Sequence, residues 1–246
     1  MKKTIFCLLF AAVITGCSKE SEEIQSEPVS AYMPLEVGKY FIYLLDSTVM
    51  RPLGGTWDNG FEVKQYQVRD LIEEKILDAG NRESYRVVRS RRNADGTGEW
   101  TPMNTYMITP VNGAIETLED NLRFRKLQLP IREDFSWKGN NYIDTYSAES
   151  QLKYMDNWDY LYEFVEEPFL TPMKLVENTI TVNQRDEIIG SPNSPQDYFQ
   201  INFAKEVYGK GIGLIYKEFV HKEYQPLGKQ YVDGSYGIRL QLLDHN

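Results

Sequence analysis

Cysteine and histidine are almost absent from this chain. The 246 residues include two of each, Cys7 and Cys17, His221 and His245. Two histidines so far apart make a poor basis for an imidazole metal site. They are also too few for a serine nucleophile that needs a positioned base, and no Gly-x-Ser-x-Gly stretch occurs. Long apolar runs are missing as well. The longest, Ile5–Ile14 ("IFCLLFAAVI"), spans about 15 Å as a helix, half of a hydrocarbon core about 30 Å thick, so it is too short to cross a bilayer.

That run follows Lys2 and Lys3 and precedes the small residues Thr15 and Gly16, the three-part form of a secretory signal. The stretch "ITGC" (14–17) resembles the bacterial lipobox. Gly16 and Cys17 match it, and Ile14 and Thr15 depart from its usual leucine and small residue. The resemblance implies cleavage before Cys17 and lipid attachment to its sulfur, which would tie the protein to a membrane. Cys7 would leave with residues 1–16, so the lone Cys17 is explained by lipidation, and disulfides and thiolate metal sites are excluded.

Without residues 1–16 the chain would have 25 basic and 36 acidic residues, a net charge of −11. Such a chain is expected to bind no nucleic acid, because phosphate neutralisation supplies most of that affinity. The one basic run, "RVVRSRR" with Arg86, Arg89, Arg91 and Arg92, is expected on a solvated strand face. Residues 17–31 are polar and charged and predict a flexible tether. Lys19 followed by Glu20, Glu22 and Glu23 resembles the export signal of Bacteroidetes surface lipoproteins. It implies an outer-membrane protein facing outward rather than into the periplasm.

From Tyr32 to Asn246 the periodicity is mostly two, which predicts a single β-rich domain. Expected strands include 39–50, 61–72, 84–92, 100–109, 115–121, 123–129, 158–165, 178–185, 213–224 and 236–243. Asn112-Gly113 between two of them predicts a tight hairpin in which both residues take positive φ. "SAESQLKYM" and "DYFQINFAKEVYG" fit a helix or a strand equally. The fold class expected is all-β: a strongly curved antiparallel meander, half-barrel or open barrel, with at most one or two short helices. A faint internal echo runs through it, since Pro34, Gly38 and Phe41 have the spacing of Pro130, Asp134 and Trp137.

Stretches able to carry chemistry are few, and no catalytic residue, cofactor site or metal site is assigned. The glycines at 209, 211 and 213 lack dinucleotide spacing and precede a strand, so they predict a sharp turn or close backbone approach. "NADGTGEWTPMN" ends in Asn104 rather than a bidentate glutamate and predicts a hairpin turn, not a calcium loop. Glu163, Glu166 and Glu167 are the best candidates for paired carboxylates of a glycoside hydrolase, with 163 and 167 on one strand face. Trp158, Tyr160, Tyr162 and Phe164 alternate along one expected strand face, as a core ladder or as a platform for a sugar or apolar ligand.

Three segments, "YMPLEVGKYFIY" (32–43), "LPIREDFSWKGN" (129–140) and "KEVYGKGIGLIYKEF" (205–219), resemble stretches of uncharacterised Bacteroidetes lipoproteins. Phe41 replaces their usual tryptophan, and Asp134 stands where glycine is common. The resemblance implies a curved sheet similar to the half-barrels of the LolA and LolB lipoprotein carriers. It carries no activity over. The expectation is a non-enzymatic, lipid-anchored envelope module that binds a glycan, lipid or protein partner, with a secreted carbohydrate-active hydrolase as the alternative.

Overall fold

The computed structural model describes residues 26–52 and 56–246. Cys17 and the signal segment lie outside the described residues. No described helix is long and apolar enough to cross a membrane.

The protein is nearly all-β, as the period of two requires. One short helical turn, α1 (Val29–Tyr32), precedes β1 (Tyr40–Met50), β2 (Phe61–Leu77), β3 (Glu83–Asn93), β4 (Thr101–Val111), β5 (Ala114–Glu119) and β6 (Leu122–Gln128). A second run follows: β7 (Ser136–Lys138), β8 (Asp159–Leu170), β9 (Leu175–Gly190), β10 (Phe199–Gly209), β11 (Gly213–Gln225), β12 (Gln230–Tyr231) and β13 (Tyr236–His245). The sheet order is β6-β5-β4-β3-β2-β1-β13-β11-β10-β9-β8-β7, with the two-residue β12 added to β11. Every pairing is antiparallel, and the sheet curls into a nearly closed barrel of twelve strands with one seam.

The sheet order shows two six-stranded meanders, β1–β6 and β7–β11 with β13. The echo seen in the sequence marks where each begins. Gly38 N–H donates to Ile72 O (2.8 Å) and Ile72 N–H to Lys39 O (2.9 Å). In the second half Asp134 N–H donates to Tyr162 O (3.1 Å) and Tyr162 N–H to Phe135 O (3.1 Å). Gly38 and Asp134 both take positive φ, +93° and +61°, and three residues later Phe41 and Trp137 enter the core. The junction β1–β13 between the halves is paired from Phe41↔His245 to Thr48↔Gly237, with one bulge at Leu243.

Its counterpart, β6 against β7, is the seam, because the chain leaves the sheet after Lys138 for a long excursion to β8. Side chains bridge it. Trp137 Nε1–H donates to Arg125 O (2.8 Å), and Gln128 N–H donates to Tyr162 Oη (2.9 Å), whose hydroxyl donates to Gln128 O (3.0 Å). One backbone bond, Arg125 N–H to Gly139 O (2.7 Å), joins them.

The three segments that carry the resemblance have structural work. Gly213 (φ +120°) lies so close to the Phe41 ring that a Cβ there would sit 3.1 Å from it. Tyr43 Oη donates to Leu214 O (3.0 Å), and Gly211 N–H to Ala31 O (2.7 Å). The glycine run is therefore the β10–β11 turn, pressed against the start of β1. Segment 26–31 also packs on the barrel: Val29 is buried, and Ser26 Oγ accepts the Ile131 N–H (2.7 Å). Residues 26–31, which the sequence assigns to the tether, thus contact the barrel.

Asn112-Gly113 does join β4 to β5, but only Gly113 takes positive φ. The hairpin with two positive-φ residues is the next one, Asp120-Asn121 (φ +51° and +63°) between β5 and β6. Of the two ambiguous stretches, "DYFQINFAKEVYG" holds β10, and "SAESQLKYM" ends in a single 3-10 turn, Lys153–Met155.

Candidate functional site

The inward faces of the strands carry an ionic belt across the barrel. Asp70 on β2 and Arg89 on β3 are direct cross-strand partners, and Arg89 grips both carboxylate oxygens at 2.7 Å. Arg89 also donates to Glu119 on β5 (2.9 Å), and Tyr106 Oη donates to Asp70 (2.9 Å). From the other half, Glu206 on β10 accepts Lys126 Nζ of β6 and Tyr208 Oη, each at 2.7 Å. Lys217 on β11 lies between the acids, 3.7 Å from Glu206 and 3.9 Å from Glu119.

Glu206 and Glu119 are held toward the ionised form. Burial would raise the Glu206 carboxyl, but the ammonium groups of Lys126 and Lys217 and the hydrogen bonds from Lys126 and Tyr208 hold it down to about 2. Glu119 is held low against burial by Lys217 and Arg89. Burial alone would lower Lys217; Glu119 and Glu206 raise it instead. The carboxyl groups of Asp70, Glu119 and Glu206 face the side chains of Arg89, Lys126 and Lys217, and burial lowers Lys126 against the pull of Glu206.

The belt separates two hollows. The larger, about 140 Å³, has apolar walls from Leu122, Phe124, Trp158, Tyr160, Phe219 and Leu240, closed on one side by Leu152 and Met155 of the excursion. Arg89, Glu119, Lys126 and Lys217 form its polar end, with Gln184 from β9. The smaller, about 50 Å³, lies beyond the belt against Phe41, Tyr43 and Ile108. Gln184 is 5% exposed, and its Nε2 has no hydrogen-bond partner among the described residues. It sits at an irregularity where β9 carries one extra residue against β10, which turns it inward.

The candidate ladder divides. Trp158, Tyr160 and Tyr162 are buried, and the first two line the larger hollow. Phe164 is 55% exposed and does not share their face. The reason is a bulge: between Glu163↔Thr181 and Glu167↔Thr179 the β8 chain uses four steps against two, with Phe164 and Glu166 at positive φ. Across the bulge Glu163 and Glu167 still share one side, opposite Thr181 and Thr179 of β9. Glu163 and Glu167 border a shallow outer hollow with Phe164, and Glu163 accepts Asn183 Nδ2 (3.0 Å).

The basic run is not simply a solvated face. Arg86 pairs outside with Glu73 and Glu74, and Arg92 lies over Trp100, but Arg89 is the inward centre of the belt. Sequence reasoning missed the belt. Its one available signal was that Asp70 shares the alternation of the apolar Val68 and Ile72, and Arg89 that of Val87. His221 is buried, stacked 3.6 Å on Tyr154, with Nδ1 2.8 Å from Asn202 Oδ1; burial lowers it to about 4. Among the described residues no group of three His, Cys, Asp or Glu is placed to hold a metal ion.

The fold and hollow define an antiparallel β-barrel with a partly polar interior cavity. No family model matches the chain, and neither does any curated protein. A crystal structure of a presumed exported protein with a YmcC-like fold from Bacteroides fragilis aligns with 85% of this chain and 97% of its own, at 10% identity and a TM-score of 0.31. So distant a likeness carries no argument about function.

Proposed function

We propose that this chain is a non-catalytic binding module of the cell envelope, anchored through lipidated Cys17, with its ligand held inside the barrel. The observation that carries the reading is the larger hollow. Its volume, about 140 Å³, is close to that of an engineered apolar cavity of about 150 Å³ that takes up benzene. The ligand group it suits is therefore a ring or a short aliphatic segment, presented by a glycan-linked, lipid or other envelope molecule.

Calorimetric titration with toluene tests the cavity. Saturable binding to the wild type, lost in the cavity-filling Leu240→Phe, is the expected result. An absence of saturable binding sinks the reading. The anchor has its own test: labelled palmitate should enter the wild type and not Cys17→Ala. Protease shaving of intact cells should remove the domain if it faces outward.

A further inference from the structure

We infer that the interior site selects a neutral ligand bearing a hydrogen-bond-accepting oxygen, such as a carbonyl, and turns away carboxylates of the same shape. The inference rests on the reading of the hollow as a binding cavity and adds its selectivity.

Two groups at the polar end of the cavity have unused donors. Gln184 Nε2, on a side chain 5% exposed, has no partner. Lys217 makes no side-chain hydrogen bond among the described residues, since its nearest acid oxygens are 3.7 and 3.9 Å away. Gln184 Nε2, buried without a partner, carries its full desolvation cost, whereas the partly exposed Lys217 keeps some contact with solvent. A ligand that brings an acceptor oxygen relieves it, and an apolar ligand does not.

Charge decides which acceptor. The belt balances Asp70, Glu119 and Glu206 against Arg89, Lys126 and Lys217, so Lys217 offers donors but no unmatched charge. Asp120, exposed at the border of the cavity, adds a further negative charge. A carboxylate would enter as a fourth buried anion with no cation of its own, at a high desolvation cost. A cation would find the Glu119 carboxylate already held by Arg89 and Lys217, and the exposed Asp120 screened by solvent. The uncharged acceptor remains.

The test is a titration at neutral pH with four probes of nearly the same body: acetophenone, benzoate, benzylammonium and toluene. Trp158, on the cavity wall, gives a fluorescence signal beside the calorimetric one. Acetophenone is expected to bind about tenfold tighter than toluene, the worth of one good hydrogen bond. Benzoate and benzylammonium should bind at least about tenfold more weakly than acetophenone. Gln184→Leu, which changes no charge, and Lys217→Met should each reduce the acetophenone advantage. Thermal melts show that each variant is folded. Benzoate or benzylammonium binding as tightly as acetophenone overturns the inference. Toluene binding without an acetophenone preference overturns it while leaving the cavity reading intact. If no probe binds, toluene included, the cavity reading itself falls.

Discussion

Lys126 and Glu206 are 80 positions apart in the chain and 2.7 Å apart in the barrel. Lys126 belongs to the last strand of the first meander and Glu206 to the fourth strand of the second, so their bond spans the interior and ties the halves together. Both side chains are buried, and each is the other's main compensation for being so.

Breaking that relationship from one side should therefore be costly. Glu206→Gln removes the charge opposite Lys126 and leaves one acceptor oxygen for the two donors Lys126 and Tyr208, and removing one member of a buried pair costs about 3–5 kcal/mol. Urea unfolding of the wild type, Glu206→Gln, Lys126→Met and the double variant measures it. The double variant should lose clearly less than the sum of the singles, whereas additivity would mean the two groups are energetically independent.

The acid side of the stability curve has two limbs, an upper one from His221 and a lower one that Glu206 shares with other depressed carboxylates such as Glu116 and Glu119. His221 is buried neutral, with its pKa lowered to about 4. The unfolded chain takes up that proton first, so stability falls as pH drops from about 6.5 to 4. Glu206 is depressed to about 2. Its contribution is complete above its ordinary value and is lost as pH falls from about 4.5 through 2, roughly 3 kcal/mol in all. Denaturation midpoints against pH should show both limbs. Glu206→Gln should flatten the lower limb only, and an unchanged slope there would contradict the assignment.

The legible part of this fold was the part set by local chemistry. Period-two patterning gave most strands because the barrel wall repeats one choice, inward or outward, at every residue. Strand β10 stayed ambiguous because "FQINFAKEVYG" places Asn202 and Glu206 inward, where alternation reads polar as outward. The belt was hidden for the same reason: Asp70, Arg89 and Lys126 look like surface residues until the sheet closes around them. The bulge at Phe164 and Glu166 left no glycine to announce it, so the ladder seemed one residue longer than it is. Closure itself depends on contacts between residues as distant as Gln128 and Tyr162, which no short window contains.

The paired starts of the two meanders invite exchange. Gly38 has φ +93° with open space where a Cβ would point, so Gly38→Ala is opposed by backbone strain alone. It should lose about 1–2 kcal/mol. Asp134 occupies the equivalent place at φ +61°. Asp134→Gly relieves that strain while loosening the unfolded chain, and the two effects should cancel to within about 1 kcal/mol. Thermal melts of both variants check it. A large loss in Asp134→Gly would show that its side chain, and not its backbone, holds the turn.

The seam should be the first part of the barrel to open. Tyr162 is 0% exposed, and its hydroxyl serves both the N–H and the carbonyl of Gln128. In Tyr162→Phe those two backbone groups lose their partner while the ring remains, which should cost about 1–3 kcal/mol. The loss should be local. Native-state hydrogen exchange should show the Gln128 amide, and Arg125 beside it, exchanging faster in the variant. Amides of the equivalent β1–β13 junction, such as those around Leu45 and Leu240, should keep their protection, because a strand ladder closes that side. Equal acceleration at both junctions would mean that the barrel opens as a whole and that the seam has no separate weakness.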